Sequence, residues 1–175
     1  MTERDIQLAL FRELGRRAQI AMPNYTPWPW YECDVCLVTT AGYMREYEIK
    51  LTVSDFRADV NKEHKHQRLA EGHKGGPVQF WYVTPAGLLA RETLPPWAGL
   101  IELIIRPYYS KPTIARIKNG PRLHQTRVSV AIIAHMKSVC YWRYWKAIET
   151  NQRIINDRKQ MVLATPAEIA ERTTP

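Results

Sequence analysis

The sequence predicts an α/β fold, a single body followed by a basic helical extension, and three observations carry that prediction. Two strand-like runs, residues 32–39 and 43–51, are joined only by Thr40-Ala41-Gly42, a connection short enough for an antiparallel hairpin. A polar helical segment, residues 55–71, is followed by the apolar run 78–84, which gives the strand, helix, strand order of a crossover. The charge is divided unevenly. Residues 106–159 hold 12 Lys or Arg against Glu149 and Asp157, so this segment carries +10 while the whole chain carries +8.

Each element has a local reason. Ile6, Ala9, Leu10, Leu14 and Ala18 fall at helical spacing, so an amphipathic helix is expected from residue 3 to about residue 20, with Thr2 as N-cap and Met22-Pro23-Asn24 as the stop. Ser54 is the expected cap of the polar helix, and Gly72 with Gly75-Gly76-Pro77 closes it. Pro95-Pro96 leads into a further strand, residues 99–105, stopped by Arg106-Pro107. The body is therefore assigned to residues 1–105. Residues 108–124 read as an irregular basic connection. A long helix over residues 126–155 follows, with periodicity through Val128, Ile132, His135, Val139 and Trp142. The extension then covers residues 106–160, and residues 161–175 form a tail where Thr165-Pro166-Ala167-Glu168 is a candidate short helix.

Length and composition limit the function classes. At 175 residues, 45% apolar and 24% charged, the chain suits one ordinary core. Its longest stretch free of Asp, Glu, Lys and Arg is residues 75–90, too short and too rich in Gly and Pro to span a bilayer. Met1-Thr2-Glu3-Arg4-Asp5 lacks the apolar region of a secretory signal, so a cytoplasmic location is expected, with no membrane partner. Three cysteines leave no complete disulfide framework and are read as thiols. There is no Gly-rich phosphate loop of the Walker or dinucleotide type, so no nucleotide cofactor is expected. The basic extension calls for a polyanionic partner, with a solvated basic face as the plain alternative. Tyr141, Trp142, Tyr144 and Trp145 beside Arg143 and Lys146 suit base stacking and phosphate binding, or packing against the body or a second subunit.

The chemistry concentrates in Asp34 and, on its hairpin partner, Glu48-Ile49-Lys50. Strand side chains alternate, so Glu48 and Lys50 share a face, and the hairpin brings Asp34 beside them. Two carboxylates suit a hard divalent cation such as Mg²⁺, with Mn²⁺ as its substitute, and an adjacent Lys suits phosphodiester hydrolysis. The alternative is an exposed strand face carrying Glu46, Glu48 and Lys50 as cross-strand ion pairs. On the following helix Asp55, Asp59, Lys62 and His66 recur on one polar face. His64, His66 and His73 lack zinc-finger spacing. Cys33 and Cys36, three apart on a strand, are expected on opposite faces as buried packing. Trp28, Trp30 and Trp97 stand near prolines and are expected to cap the core, with a rigid loop over the site as the alternative.

The order helix, hairpin with D…E-x-K, helix, strand resembles the PD-(D/E)XK nuclease superfamily over residues 3–105. The run Glu48-Ile49-Lys50-Leu51-Thr52-Val53-Ser54-Asp55-Phe56-Arg57-Ala58-Asp59, then Lys62 and Lys65-His66, together with Pro96-Trp97-Ala98-Gly99-Leu100-Ile101, is similar to the branch of small bacterial DNA-repair proteins and phage-encoded nucleases. One departure is Cys33, which stands where the superfamily name has Pro. The resemblance implies a restriction-endonuclease-like core of αβββαβ order around a central mixed sheet. It implies metal ligation by Asp34, Glu48 and the Ile49 carbonyl, and a catalytic Lys50. A further Glu comes from the opening helix, with Glu3 preferred over Glu13. Lys65 and His66 match helix residues that position the substrate phosphate, with Lys62 beside them.

These readings converge on a Mg²⁺-dependent DNA nuclease, and the resemblance implies that it leaves 5′-phosphate ends. Arg122, Arg127, Arg143 and Lys146 of the basic segment are the candidate backbone grips. A homodimer through the aromatic helix is expected where both strands are cut. The alternatives are a catalytically silent DNA-binding or assembly protein on the same fold, and an RNA-directed nuclease.

Overall fold

The computed structural model describes residues 1–105 and 112–163. The Arg106-Pro107 stop, the start of the basic connection and the tail from Ala164 lie outside the described residues. The fold is α/β, with a six-stranded mixed sheet whose strands lie side by side in chain order and helices on its faces. The chain divides into one compact unit through Met136 and a second from Lys137.

Helix α1 is Glu3–Glu13. Thr2 accepts a hydrogen bond from the Asp5 amide while the Asp5 carboxylate accepts from the Thr2 amide, a reciprocal cap that satisfies two otherwise unpaired donors. The helix is shorter than its apolar spacing suggests. A 3₁₀ turn, Gly15–Arg17, ends it, and Ala18–Tyr25 forms strand β1, so Ile20 and Met22 are buried from a strand. Strands β2, Cys33–Thr39, and β3, Met44–Ile49, pair antiparallel with Val35 opposite Tyr47 and Cys36 opposite Glu46. Their turn forms as expected: Gly42 sits at φ +80, the left-handed conformation that a three-residue hairpin loop needs at this position.

The crossover is broken into pieces. Helix α2, Val53–Ala58, is capped by Thr52 rather than Ser54; a 3₁₀ turn, Asp59–Asn61, follows, and α3 runs Glu63–Ala70. Strands β4, Gln79–Pro85, and β5, Ala98–Ile104, extend the sheet in parallel from β3. The basic connection is not irregular throughout. Thr113–Lys118 is strand β6, antiparallel to β5, so the sheet does not end at residue 105. Helix α4, Val130–Leu163, starts four residues after the expected point and continues past residue 155. Among the described residues no helix is long and apolar enough to cross a membrane.

The two faces of the sheet differ. On one, Ile6, Ala9 and Leu10 of α1 pack on Val35, Leu37, Tyr47, Ile49, Val83, Ile101 and Leu103. Fully burying a side chain the size of Ile6 or Leu10 contributes roughly 1.5–3 kcal/mol. Gly99 allows the Trp81 ring to lie directly on β5, where a Cβ would overlap it. The opposite face is covered by α3 through Leu69 and Lys65, and here the sheet presents Glu46 and Glu48. In the second unit, Tyr141, Trp142, Tyr144 and Trp145 of α4 are exposed and meet one another edge to face.

Candidate active site

Strand β3 is central in the sheet and is covered on one face by α1 and on the other by α3. The helical cover turns Glu46, Glu48 and Lys50 from a solvent face into a buried one: they are 0%, 3% and 4% exposed. A buried carboxylate needs a charged or hydrogen-bonding partner. Lys65 of α3 supplies it, with its ammonium 2.6 Å from Glu46 Oε1 and 2.8 Å from Glu48 Oε2. The Trp30 indole N–H donates to Glu46 Oε2 at 2.7 Å. Lys50 Nζ reaches Glu48 Oε1 at 3.1 Å and Asp59 Oδ1 at 2.9 Å, and Lys62 bridges the same two oxygens at 2.6 and 2.9 Å. Asp59 is completed by the Tyr82 hydroxyl at 2.8 Å and the His66 ring at 3.0 Å.

The break between α2 and α3 makes this possible. Asp59, Lys62 and His66 do not lie on one continuous helical face as their spacing suggests, yet the 3₁₀ turn gathers them around Lys50. Burial opposes the charge on Asp59, but His66, Lys50 and Lys62 hold its carboxyl far below the usual range. Glu48 is likewise held low by Lys65, Lys62 and Lys50 against the cost of burial. Lys50 and Lys65 are desolvated, yet their carboxylate partners raise both above the ordinary lysine value. Lys50 therefore keeps its proton and acts as a fixed positive charge.

Asp34 is the exception to this neutralisation. Its Oδ2 accepts from the Ile49 amide at 2.6 Å, which places it at the end of β3 beside Glu48. Burial first, then the charges of Glu48 and Glu3, push its carboxyl up to about 6, with the Ile49 amide and Lys50 acting the other way. Glu3 is tied in through Gln7 of α1, whose amide donates to Glu3 Oε1 at 2.7 Å, to Asn24 Oδ1 at 2.6 Å and to the Asp34 carbonyl at 3.2 Å. Glu13, the other candidate, closes the far end of α1. A cleft of about 430 Å³ beside the network is lined by Tyr31, Glu32, Asn61, Lys62, Glu63, His64 and Lys65.

The structure thus gathers Glu3, Asp34, Glu48, Ile49, Lys50, Lys62, Lys65 and His66. Arg122 and Arg127 stand elsewhere, over Tyr43 at the hairpin end of β3, and Arg143 and Lys146 belong to the second unit. Sequence reasoning missed the burial of Glu46 and the parts played by Trp30, Tyr82 and Gln7. The available signal was that the strands on either side, with Cys36, Val38, Phe80 and Tyr82, are apolar on this face too, so charge on β3 had to be paired internally. Cys33 and Cys36 are buried in β2, as expected of packing residues. Both are thiols, Cys33 Sγ donates to the Tyr31 carbonyl at 3.6 Å, and the neighbouring Cys36 thiol together with burial pushes the Cys33 thiol well up.

For a bound cation, Asp34, Glu48 and the Ile49 carbonyl offer the hard oxygen donors that Mg²⁺ takes. Positive charge there would offset the burial and then the Glu48 repulsion that raise Asp34, so the donor chemistry fits, with both Glu48 oxygens held by lysines until a cation takes their place. Among the described residues no group of three or more His, Cys, Asp or Glu converges as a metal cluster.

No family model and no curated protein matches the sequence. Among solved structures the chain is similar to the SPO1766 protein of unknown function from Silicibacter pomeroyi. The TM-score is 0.55 at 18% identity, over 85% of this chain and 89% of that one. At that identity the likeness is one of fold alone.

Proposed function

We propose that the protein is a Mg²⁺-dependent DNA nuclease with a restriction-endonuclease-like core of the PD-(D/E)XK kind, acting in DNA repair, recombination or phage DNA processing. The observation that supports it most is the meeting of Asp34, Glu48 and Lys50 at one end of the β2–β3 hairpin, with Asp34 left short of compensating charge. Asp34, Glu48 and the Ile49 carbonyl would hold the metal, with Glu3 nearby. Bound Mg²⁺ supplies Lewis acidity, lowering the pKa of a water and offsetting charge on the phosphate. Lys50, fixed by Glu48 and Asp59, sets its ammonium against the phosphate oxygens and orients the attacking water without taking its proton. Attack forms the new P–O bond as the bond to the 3′ oxygen breaks; the water's proton passes to solvent and the 3′ oxygen takes one up from it, leaving a 5′-phosphate and a 3′-hydroxyl. Dimerisation through the exposed aromatics of α4 would bring two such sites to a duplex, and light scattering reads it directly.

One observation favours a second reading. Both Glu48 oxygens are already engaged by Lys50, Lys62 and Lys65, which suits a DNA-binding or assembly protein that no longer cuts. Under the first reading, Lys62, the half-exposed one of the three, gives way to the metal. Purified protein incubated with supercoiled, linear, single-stranded and branched DNA in Mg²⁺, Mn²⁺, Ca²⁺ or EDTA separates the two. Cleavage in Mg²⁺ or Mn²⁺ alone supports the nuclease; retention of DNA without cleavage supports the silent binder. RNA substrates at the same salt test the RNA-directed alternative.

A further inference from the structure

We propose that the groove beside the β2–β3 hairpin binds an unpaired polynucleotide strand, with Trp28 as the base-stacking surface and Arg122, Arg127 and Lys74 as phosphate contacts. Trp28, Lys74 and Arg127 line one groove with Pro27, Pro29 and Met44. Trp28 is 81% exposed, so a flat indole stands in water where most residues of its size are covered. Trp30, two residues on, is buried against Glu46, so the segment divides its tryptophans between core and surface.

The cations beside it are arranged for an anion. The Arg122 guanidinium lies 4.3 Å from the centre of the Tyr43 ring and that of Arg127 lies 5.5 Å from it. Two positive charges meet at a phenol instead of a carboxylate, and their repulsion is offset when a phosphate arrives. They are also fixed in advance. Arg122 Nε donates to the His124 carbonyl at 3.2 Å, the Leu123 amide to Val78 at 2.9 Å, and the Val128 amide to Gly42 at 2.8 Å. A segment already pinned to the hairpin loses little freedom on binding.

The chemistry selects the partner. Cations alone would hold duplex and single strand alike through counterion release. An exposed indole adds affinity only for a base whose face is not already stacked in a duplex. The groove is thus suited to a strand end, flap or gap. As a guide for the substrate of the proposed nuclease the inference rests on that reading; as a binding surface it does not, because binding is measured without metal.

The test is fluorescence anisotropy with labelled oligothymidine, oligouridine and a duplex of equal length, in EDTA, across several salt concentrations. The wild type is expected to bind single strands more tightly than duplex at any one salt concentration. Trp28→Ala is expected to weaken single-strand binding roughly tenfold, the scale of one base–aromatic stack. Arg122→Ala and Arg127→Ala should each flatten the salt slope by about 0.7. Trp28 and Lys74 are exposed, so Trp28→Ala and Lys74→Ala keep the test independent of folding, which circular dichroism verifies. Binding of oligothymidine or of oligouridine in preference to duplex supports the groove, whichever of the two is bound more tightly. Duplex bound as tightly as single strand, no binding at all, or Trp28→Ala binding like wild type would overturn the proposal. Metal-dependent cleavage is measured separately, and its success or failure leaves the binding result unchanged.

Discussion

Replacing Asp34 with Asn is expected to stabilise the protein at neutral pH, against the usual direction for a buried polar residue. The Asn side-chain oxygen can still accept from the Ile49 amide, while the charge that Glu48 and Glu3 repel is gone. A carboxyl moved from 3.8 to about 6 carries an ionisation cost in the folded state of about 3 kcal/mol, at roughly 1.36 kcal/mol per pH unit. Partial exposure screens some of this, so the expected gain is roughly 1–3 kcal/mol. With a urea slope on the order of 2 kcal/mol/M, the unfolding midpoint at pH 7.5 in EDTA rises by about 0.5–1.5 M. The pH dependence has a definite sign. Below pH 3.8 the carboxyl is neutral in both states and the variant gains nothing from losing it. Between there and about 6 the folded state keeps a proton that the unfolded chain releases, so wild-type stability falls as pH rises through that window and levels off above it. The Asn variant lacks this fall. A variant no more stable than wild type at pH 7.5, or one whose stability follows the same pH curve, would refute the reasoning.

Three other substitutions probe the buried network and the sheet. Lys65→Met leaves Glu46 and Glu48 buried without their shared cation and should cost about 3–5 kcal/mol in urea unfolding; a loss of about 1 kcal/mol or less, typical of an exposed pair, would contradict it. Trp30→Phe removes the indole donor from Glu46 and should cost about 1–3 kcal/mol, and a Trp28→Phe control of equal effect would place the loss elsewhere. Gly99→Ala drives a methyl into the Trp81 ring and to within 2.6 Å of the Gly120 nitrogen. The expected cost is about 1–3 kcal/mol with a changed near-ultraviolet tryptophan signal, and an unchanged melting temperature would argue against the close packing.

What the sequence hides follows from position in the sheet. Strands β2, β3, β4 and β5 are central, so their apolar runs and the Thr40-Ala41-Gly42 turn are readable. Strands β1 and β6 are the two edges. An edge strand tolerates Pro, as β1 does at Pro23, and charge, as β6 does at Arg116 and Lys118, so the one imitates a helix end and the other a basic loop. The charged part of the site was half legible. Asp34, Glu48 and Lys50 follow from strand alternation and the hairpin, whereas Lys65 reaches Glu46 only through the crossover, a pairing that local spacing does not encode. Asp59 was visible as part of a polar helical face, but its role depends on a helix break that places it against Lys50 and Tyr82.

The central claim is that Lys50, held between Glu48 and Asp59, serves metal-dependent phosphodiester cleavage. Its most direct test compares wild type with Lys50→Ala, both verified as folded by near-ultraviolet circular dichroism, on the same DNA substrates in Mg²⁺ and in EDTA. The expected result is cutting by wild type in Mg²⁺, with no cutting in EDTA and none by the folded variant. Equal cutting by the variant would remove Lys50 from the reaction, and intact DNA in every lane would contradict the nuclease assignment itself.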